Sequence, residues 1–96
     1  MHVHSRPVTL VSTLESLTTM LTAVKGATAI AIDLEGESLG RYGSICALQL
    51  AVGPDGPIYV VDTCALGASA FSHPPPRGAP TLKALLEDKA VAKLMW

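Results

Sequence analysis

The spacing of hydrophobic positions changes repeatedly along this 96-residue chain, and each change marks a new element. The run Val8 to Val11 is apolar and largely β-branched, which suits a short strand. Ser12 stands three residues before Glu15, the spacing at which each side chain can accept from the other residue's backbone N–H, so a helix is predicted to start there. Leu14, Leu17, Leu21 and Val24 then make one apolar stripe, and Gly26 sits where a left-handed helix terminator is wanted. Such a helix covers one side of a sheet.

From Ala27 the period falls to two. Ile30, Ile32 and Leu34 point one way, while Ala29, Ala31, Asp33 and Glu35 point the other. This pattern predicts a central strand with both faces buried along most of its length and two carboxylates emerging at its C-terminal end. A turn containing Gly40 and Gly43 leads to a second strand, Ser44 to Val52. Gly53-Pro54-Asp55-Gly56 is turn chemistry, and Ile58 to Asp62 makes a third strand, so the short links give an antiparallel meander. Gly67 to Pro80, with His73-Pro74-Pro75-Pro76, reads as an irregular surface insertion. Thr81 is placed to cap a helix running through Asp88, with Leu82, Leu85 and Leu86 as its apolar side. Ala90 to Trp96 then reads as a strand reached by a helical crossover, hence parallel to an earlier one.

Composition narrows the function classes. A chain of 96 residues allows one domain, and 49% hydrophobic against 16% charged residues gives it a core rather than disorder. Seven basic and eight acidic residues leave a net charge of −1, with no basic block to track a nucleic acid backbone. Four aromatic residues are too few for a base-stacking platform. Cys46 and Cys64 supply neither a zinc site nor a disulfide scaffold and are expected as buried thiols. No apolar run reaches the roughly 20 residues of a membrane span, and no leader precedes the strands, which points to an intracellular, nuclear or cytoplasmic, protein without a membrane partner. Residues 1–7, with His2 and His4, are expected as a disordered tail.

The candidate chemistry is acidic. Asp33, Glu35 and Glu37 are three of the eight acids within five positions, and no Lys or Arg occurs from Gly26 to Gly40. Two carboxylates at i and i+2 on a strand share a face and can hold one hard cation, which relieves their repulsion; Mg²⁺ is commonly held by one or two carboxylates, waters and substrate phosphate. Acids at strand ends also serve as solvated turn formers. What favours a metal site is that charge capping the apolar run Ala29-Ile30-Ala31-Ile32 is costly unless used. Arg41 and Tyr42 are candidates to touch a phosphate or base near the acids, or are solvated turn residues. Gln49, in an apolar strand, is either a hydrogen-bonded structural residue or a substrate contact. Asp62 is expected to cap the turn that follows it.

The segment Ala-Ile-Asp-Leu-Glu-Gly-Glu-Ser-Leu-Gly-Arg-Tyr-Gly-Ser-Ile-Cys-Ala-Leu-Gln-Leu-Ala, followed by Ile58 to Asp62 and Leu82 to Asp88, resembles the ribonuclease-D-like 3′-5′ exonucleases of the DEDD superfamily. The resemblance is closest to the branch related to the Egalitarian and piRNA-biogenesis exonuclease-domain proteins, and it spans nearly the whole chain. It implies an α/β fold of ribonuclease-H-like (DnaQ-like) type: a mixed sheet with an antiparallel meander and a parallel crossover strand, here truncated. It implies also that Asp33 bridges two Mg²⁺ or Mn²⁺ ions while Glu35 binds one and helps position the 3′ nucleotide of an RNA or DNA. In that chemistry a metal-activated water attacks the last phosphodiester in line, with ions about 4 Å apart. The family's further acidic motifs and its Tyr or His base lie beyond Trp96. Residues 8–96 are therefore expected to be the N-terminal part of an exonuclease domain, inactive alone. The alternative is a non-catalytic nucleic-acid-binding or adaptor module on the same fold.

Overall fold

The elements run β1 (Val8–Val11), α1 (Leu14–Ala23), β2 (Ala29–Gly36), β3 (Ile45–Val52), β4 (Ile58–Asp62), α2 (Thr63–Leu66), α3 (Ser69–Ser72), α4 (Leu82–Glu87) and β5 (Ala92–Met95). This computed structural model describes residues 6–36, 45–53, 55–76 and 78–95.

α1 starts one residue later than the Ser12–Glu15 spacing implies. Thr13 is the N-cap: its hydroxyl accepts from the Ser16 N–H at 3.0 Å, while the Ser16 hydroxyl accepts from the N–H groups of Thr13 at 3.0 Å and Ser12 at 3.1 Å. The short Ser16 side chain thus satisfies the Ser12 N–H that Glu15 was expected to serve, together with that of Thr13, and Glu15 is left exposed in the first turn, where a negative charge suits the helix dipole. The register of the apolar stripe moves with the cap. Leu14 is 44% exposed, and Leu17, Met20, Leu21 and Val24 are buried. Thr13→Ala is expected to lower stability by about 1 kcal/mol. The measurement is the urea midpoint of the chain at low micromolar concentration; an unchanged midpoint would place the helix start elsewhere.

β2, β3 and β4 form the expected antiparallel meander, and β5 returns parallel beside β2. β1 lies at the far edge, parallel to β4, so the strand order is β1-β4-β3-β2-β5. β1, β4, β2 and β5 consequently run in one direction and end at the same edge of the sheet, with β3 alone opposing them. The β3–β4 turn depends on Gly56, where a Cβ would lie 2.0 Å from the Val52 carbonyl oxygen. The Arg6 guanidinium closes over this turn, donating to the carbonyls of Gly56 at 2.7 Å and Gly53 at 3.1 Å, and the Ile58 N–H donates to the Pro7 carbonyl at 2.8 Å. Arg6 and Pro7, expected in the tail, are thereby tied to the sheet; residues 1–5 lie outside the described ones.

Other expectations need adjusting. The insertion from Gly67 to Pro80 is irregular only after Ser72: α3 occupies residues 69–72, and its Ala70 is fully buried, so this segment contributes to the core. A further short helix, α2, directly follows β4 because Asp62 caps it. The last strand starts two residues later than read, since Asp88 draws Ala90 and Val91 into a turn through its carboxylate and carbonyl.

The core lies on one face of the sheet. Leu17 and Leu21 of α1, Val24 at its C-cap, Ala70 of α3, and Leu82 and Leu85 of α4 pack with Ile30, Ile32, Leu48, Leu50, Tyr59 and Val61. The helices send their buried side chains to this side, and the other face stays open among the described residues. Val8, Leu10 and Leu94 are 64%, 61% and 67% exposed there. Burial of both faces of β2 is therefore not observed: Ala29 is exposed and Ala31 half-buried. A shallow depression of about 250 Å³, lined by Ala29, Ala31, Gly53 and Leu94 among others, marks the β2–β5 part of this face.

Candidate functional site

Ile30 and Ile32 are anchored in the core, and that fixes the parity of everything beyond them on β2. Asp33 and Glu35 consequently share the open face, Asp33 half-buried and Glu35 exposed. At about 3.3 Å per residue their Cα atoms are roughly 6.6 Å apart along the strand, a separation over which two carboxylates can converge on one cation. They stand at the edge where β1, β4, β2 and β5 all end. Open α/β sheets bind their ligands outside the carboxyl ends of strands, so the acids occupy the favoured place on such a sheet.

The neighbouring strand supplies a third group. Asp33 pairs with Gln49 and Glu35 with Ala47, and the Gln49 Nε2 donates diagonally to Glu35 Oε1 at 3.1 Å. Immediately after Glu35 the register shifts, so that Gly36 faces Ile45 and Cys46 is passed over. Bulges of this kind bend a strand and re-aim side chains, and they concentrate next to functional sites. Neither the hydrogen bond nor the bulge was legible in the sequence. An amide in an apolar strand was the signal for Gln49, but naming Glu35 as its partner requires the β2–β3 register.

The remaining candidates are placed as follows. Arg41 and Tyr42, with Glu37, lie outside the described residues. Asp62 caps α2, its Oδ1 accepting from the Ala65 N–H at 2.9 Å, as expected. Cys64 is exposed in α2 rather than buried, since it is the neighbouring Thr63 that this short helix turns inward. The side chain of Cys46 is outside the description. Among the described residues no group of three or more His, Cys, Asp or Glu side chains comes together in a way that could hold a metal. The donors present are oxygens, right in kind for a hard divalent cation, and two in number where an octahedral ion takes six. No helix among the described residues is long and apolar enough to cross a membrane.

Comparison with solved structures shows the same fold at low identity. The catalytic core of RRP6 from Trypanosoma brucei superposes with a TM-score of 0.75 at 21% identity, over 99% of this chain and 24% of that one. RNase D from Trypanosoma brucei gives 0.78 at 24% identity, over 96% of this chain and 30% of that one. RNase D from Escherichia coli gives 0.59 at 24% identity, over 90% of this chain and 20% of that one. The chain thus spans less than a third of the length of these proteins. No curated protein matches it by sequence. The family profile described as 3′-5′ exonuclease matches residues 8–96, all but the first seven positions, and Asp33 and Glu35 fall within the match. With the mixed sheet of the RNase D and RRP6 structures, this match settles the family: the chain belongs to the 3′-5′ exonuclease domain family.

Proposed function

We propose that residues 8–96 are the N-terminal part of an RNase-D-like exonuclease domain that trims nucleic acid from its 3′ end, and that Asp33 and Glu35 are its first metal-binding carboxylates. The observation that carries this reading is their placement: two acids on one open face, at the carboxyl edge of the sheet, inside the segment that matches the family. Mg²⁺ or Mn²⁺ fits their oxygen donors, and in the complete domain two such ions serve. A bound cation supplies charge stabilisation at the scissile phosphate. The work of this chain's own residues is to hold that charge in place. Ile30 and Ile32 lock the strand parity, Asp33 and Glu35 present four carboxylate oxygens on one side, and the bulge after Glu35 ends the regular ladder at the site. RNA is the favoured substrate: RNase D from Trypanosoma brucei, solved in complex with RNA, shares the fold at a TM-score of 0.76 and 24% identity.

Two carboxylates without further ligands should bind Mg²⁺ or Mn²⁺ only at about millimolar concentration. The chain alone is accordingly expected to leave a 3′-labelled oligonucleotide intact in Mg²⁺, while in the chain joined to a soluble fusion partner millimolar Mn²⁺ broadens the backbone amide signals of residues 32–35. Asp33→Asn should remove that broadening. Shortening of the oligonucleotide that disappears in Asp33→Ala would show that the 96 residues hold a complete site. Broadening centred elsewhere would remove Asp33 and Glu35 as ligands.

A further inference from the structure

Gln49 is the one polar residue among the eight of β3, and it is half-buried on the face that carries the acids. It stands directly across from Asp33, while its side chain reaches past that partner to Glu35, at 3.1 Å from Nε2 to Oε1. Diagonal neighbours on one sheet face lie about 7–8 Å apart, within reach of a long side chain. Ala47, directly opposite Glu35, contributes only a methyl group, so nothing bulky stands between the amide and the carboxylate.

Resting on the reading of Asp33 and Glu35 as cation ligands, we infer that Gln49 is a positioning residue for that site: its amide holds Glu35 by Oε1 and leaves Oε2 to the cation. The residue type suits the task. A lysine or arginine at this position would neutralise the negative charge that a cation needs. An aliphatic side chain would leave Glu35, which is exposed, free to sample its rotamers, and that freedom would be lost each time a cation bound. A neutral amide donor orients the carboxylate and keeps its charge. The need for such a tie is local, because the register shift immediately after Glu35 leaves its backbone held by regular β2–β3 pairing on the preceding side only.

The test is Mn²⁺ titration of the ¹⁵N-labelled chain, joined to a soluble fusion partner, comparing wild type with Gln49→Met, a swap that keeps length and removes the donor. The variant is expected to need about tenfold more Mn²⁺ for the same broadening at residues 32–35, the lower end of the usual effect of removing a ligand's hydrogen-bond partner. Amide signals far from the site should keep their positions. Equal Mn²⁺ dependence in the two proteins, with or without a loss of stability in the variant, would overturn the positioning role while leaving the metal site standing. Absence of local broadening in wild type would overturn the site and the inference together. A measurement independent of the variant's folding is the side-chain amide pair of Gln49 in wild type, which should shift in Glu35→Ala; unmoved signals would also overturn the inference.

Discussion

Leu48→Ala is expected to remove most of the chain's stability and leave it only marginally folded in the absence of denaturant. Leu48 lies on β3, the middle strand, where it pairs with Leu34 on one side and Val61 on the other and is almost completely buried. Truncating such a residue costs about 2–5 kcal/mol through lost transfer energy and the cavity left behind. A chain of this length has roughly 5–14 kcal/mol of stability at 0.05–0.15 kcal/mol per residue, and one that buries only a single sheet face should fall at the low end. The loss then approaches the whole. Urea titration followed by circular dichroism, at low micromolar concentration, should show the folded baseline shortened or gone. Leu10→Ala, on the open face of β1, removes a side chain of the same size and should change stability by less than about 0.5 kcal/mol. Equal losses from the two variants would mean that the core is not confined to one side.

The same asymmetry explains which parts of the fold were readable from the sequence. Period-two spacing from Ala29 exposed β2 and the shared face of Asp33 and Glu35, because strand parity is set by the chain itself. Ile58 to Asp62 was bounded correctly by the Gly-Pro-Asp-Gly turn before it and the Asp62 cap after it, both local devices. Two long-range facts had no local signal and were missed. β1 could be placed as a strand, yet nothing in Val8 to Val11 says that it pairs parallel with β4. Gln49 could be flagged as polar in an apolar strand, but its partner depends on the register between β2 and β3. The helix cap shows a subtler failure. Ser12–Glu15 and Thr13–Ser16 both fit the pattern of a capping pair, and burial of Met20 in place of Leu14 decides between them. The small residues Ala29 and Ala31 misled in the opposite direction, since they suit close packing against a covering layer that no described element provides.

That open layer has the second large consequence, which is self-association of the chain. Val8 and Leu10 on β1, Ile58 and Val60 on β4, and Leu94 on β5 alternate onto the face without helices, and the first two and the last are each more than 60% exposed. Monomeric proteins rarely leave apolar patches larger than several hundred Å² uncovered, and at about 25 cal/mol per Å² such a patch is worth several kcal/mol to whatever covers it. In water the available cover is another copy. The wild-type chain is therefore expected to sediment as oligomers or aggregates at about 100 µM, with a broad thermal transition, since a loosely satisfied face weakens cooperativity as well as solubility. Leu10→Lys combined with Leu94→Lys should make it monomeric. Burying a leucine contributes about 1.5–3 kcal/mol, so losing two should weaken association by at least about 100-fold. Sedimentation velocity of the two proteins decides the matter: a wild-type chain that is monomeric at that concentration, with a sharp and reversible melt, would show that the open face is self-sufficient. The face also ends at Asp33 and Glu35, because β2 carries Ala29, Ala31 and both acids with one parity. Any layer that covers the alanines therefore meets the carboxylates at its border. In a longer protein of this family, further ligands for a shared cation can arrive with that layer, and the same contact that restores solubility can then complete the site. A downstream extension that makes the protein monomeric should thus also tighten Mn²⁺ binding at residues 33 and 35, and a gain in solubility without any gain in binding would separate the two roles of the face.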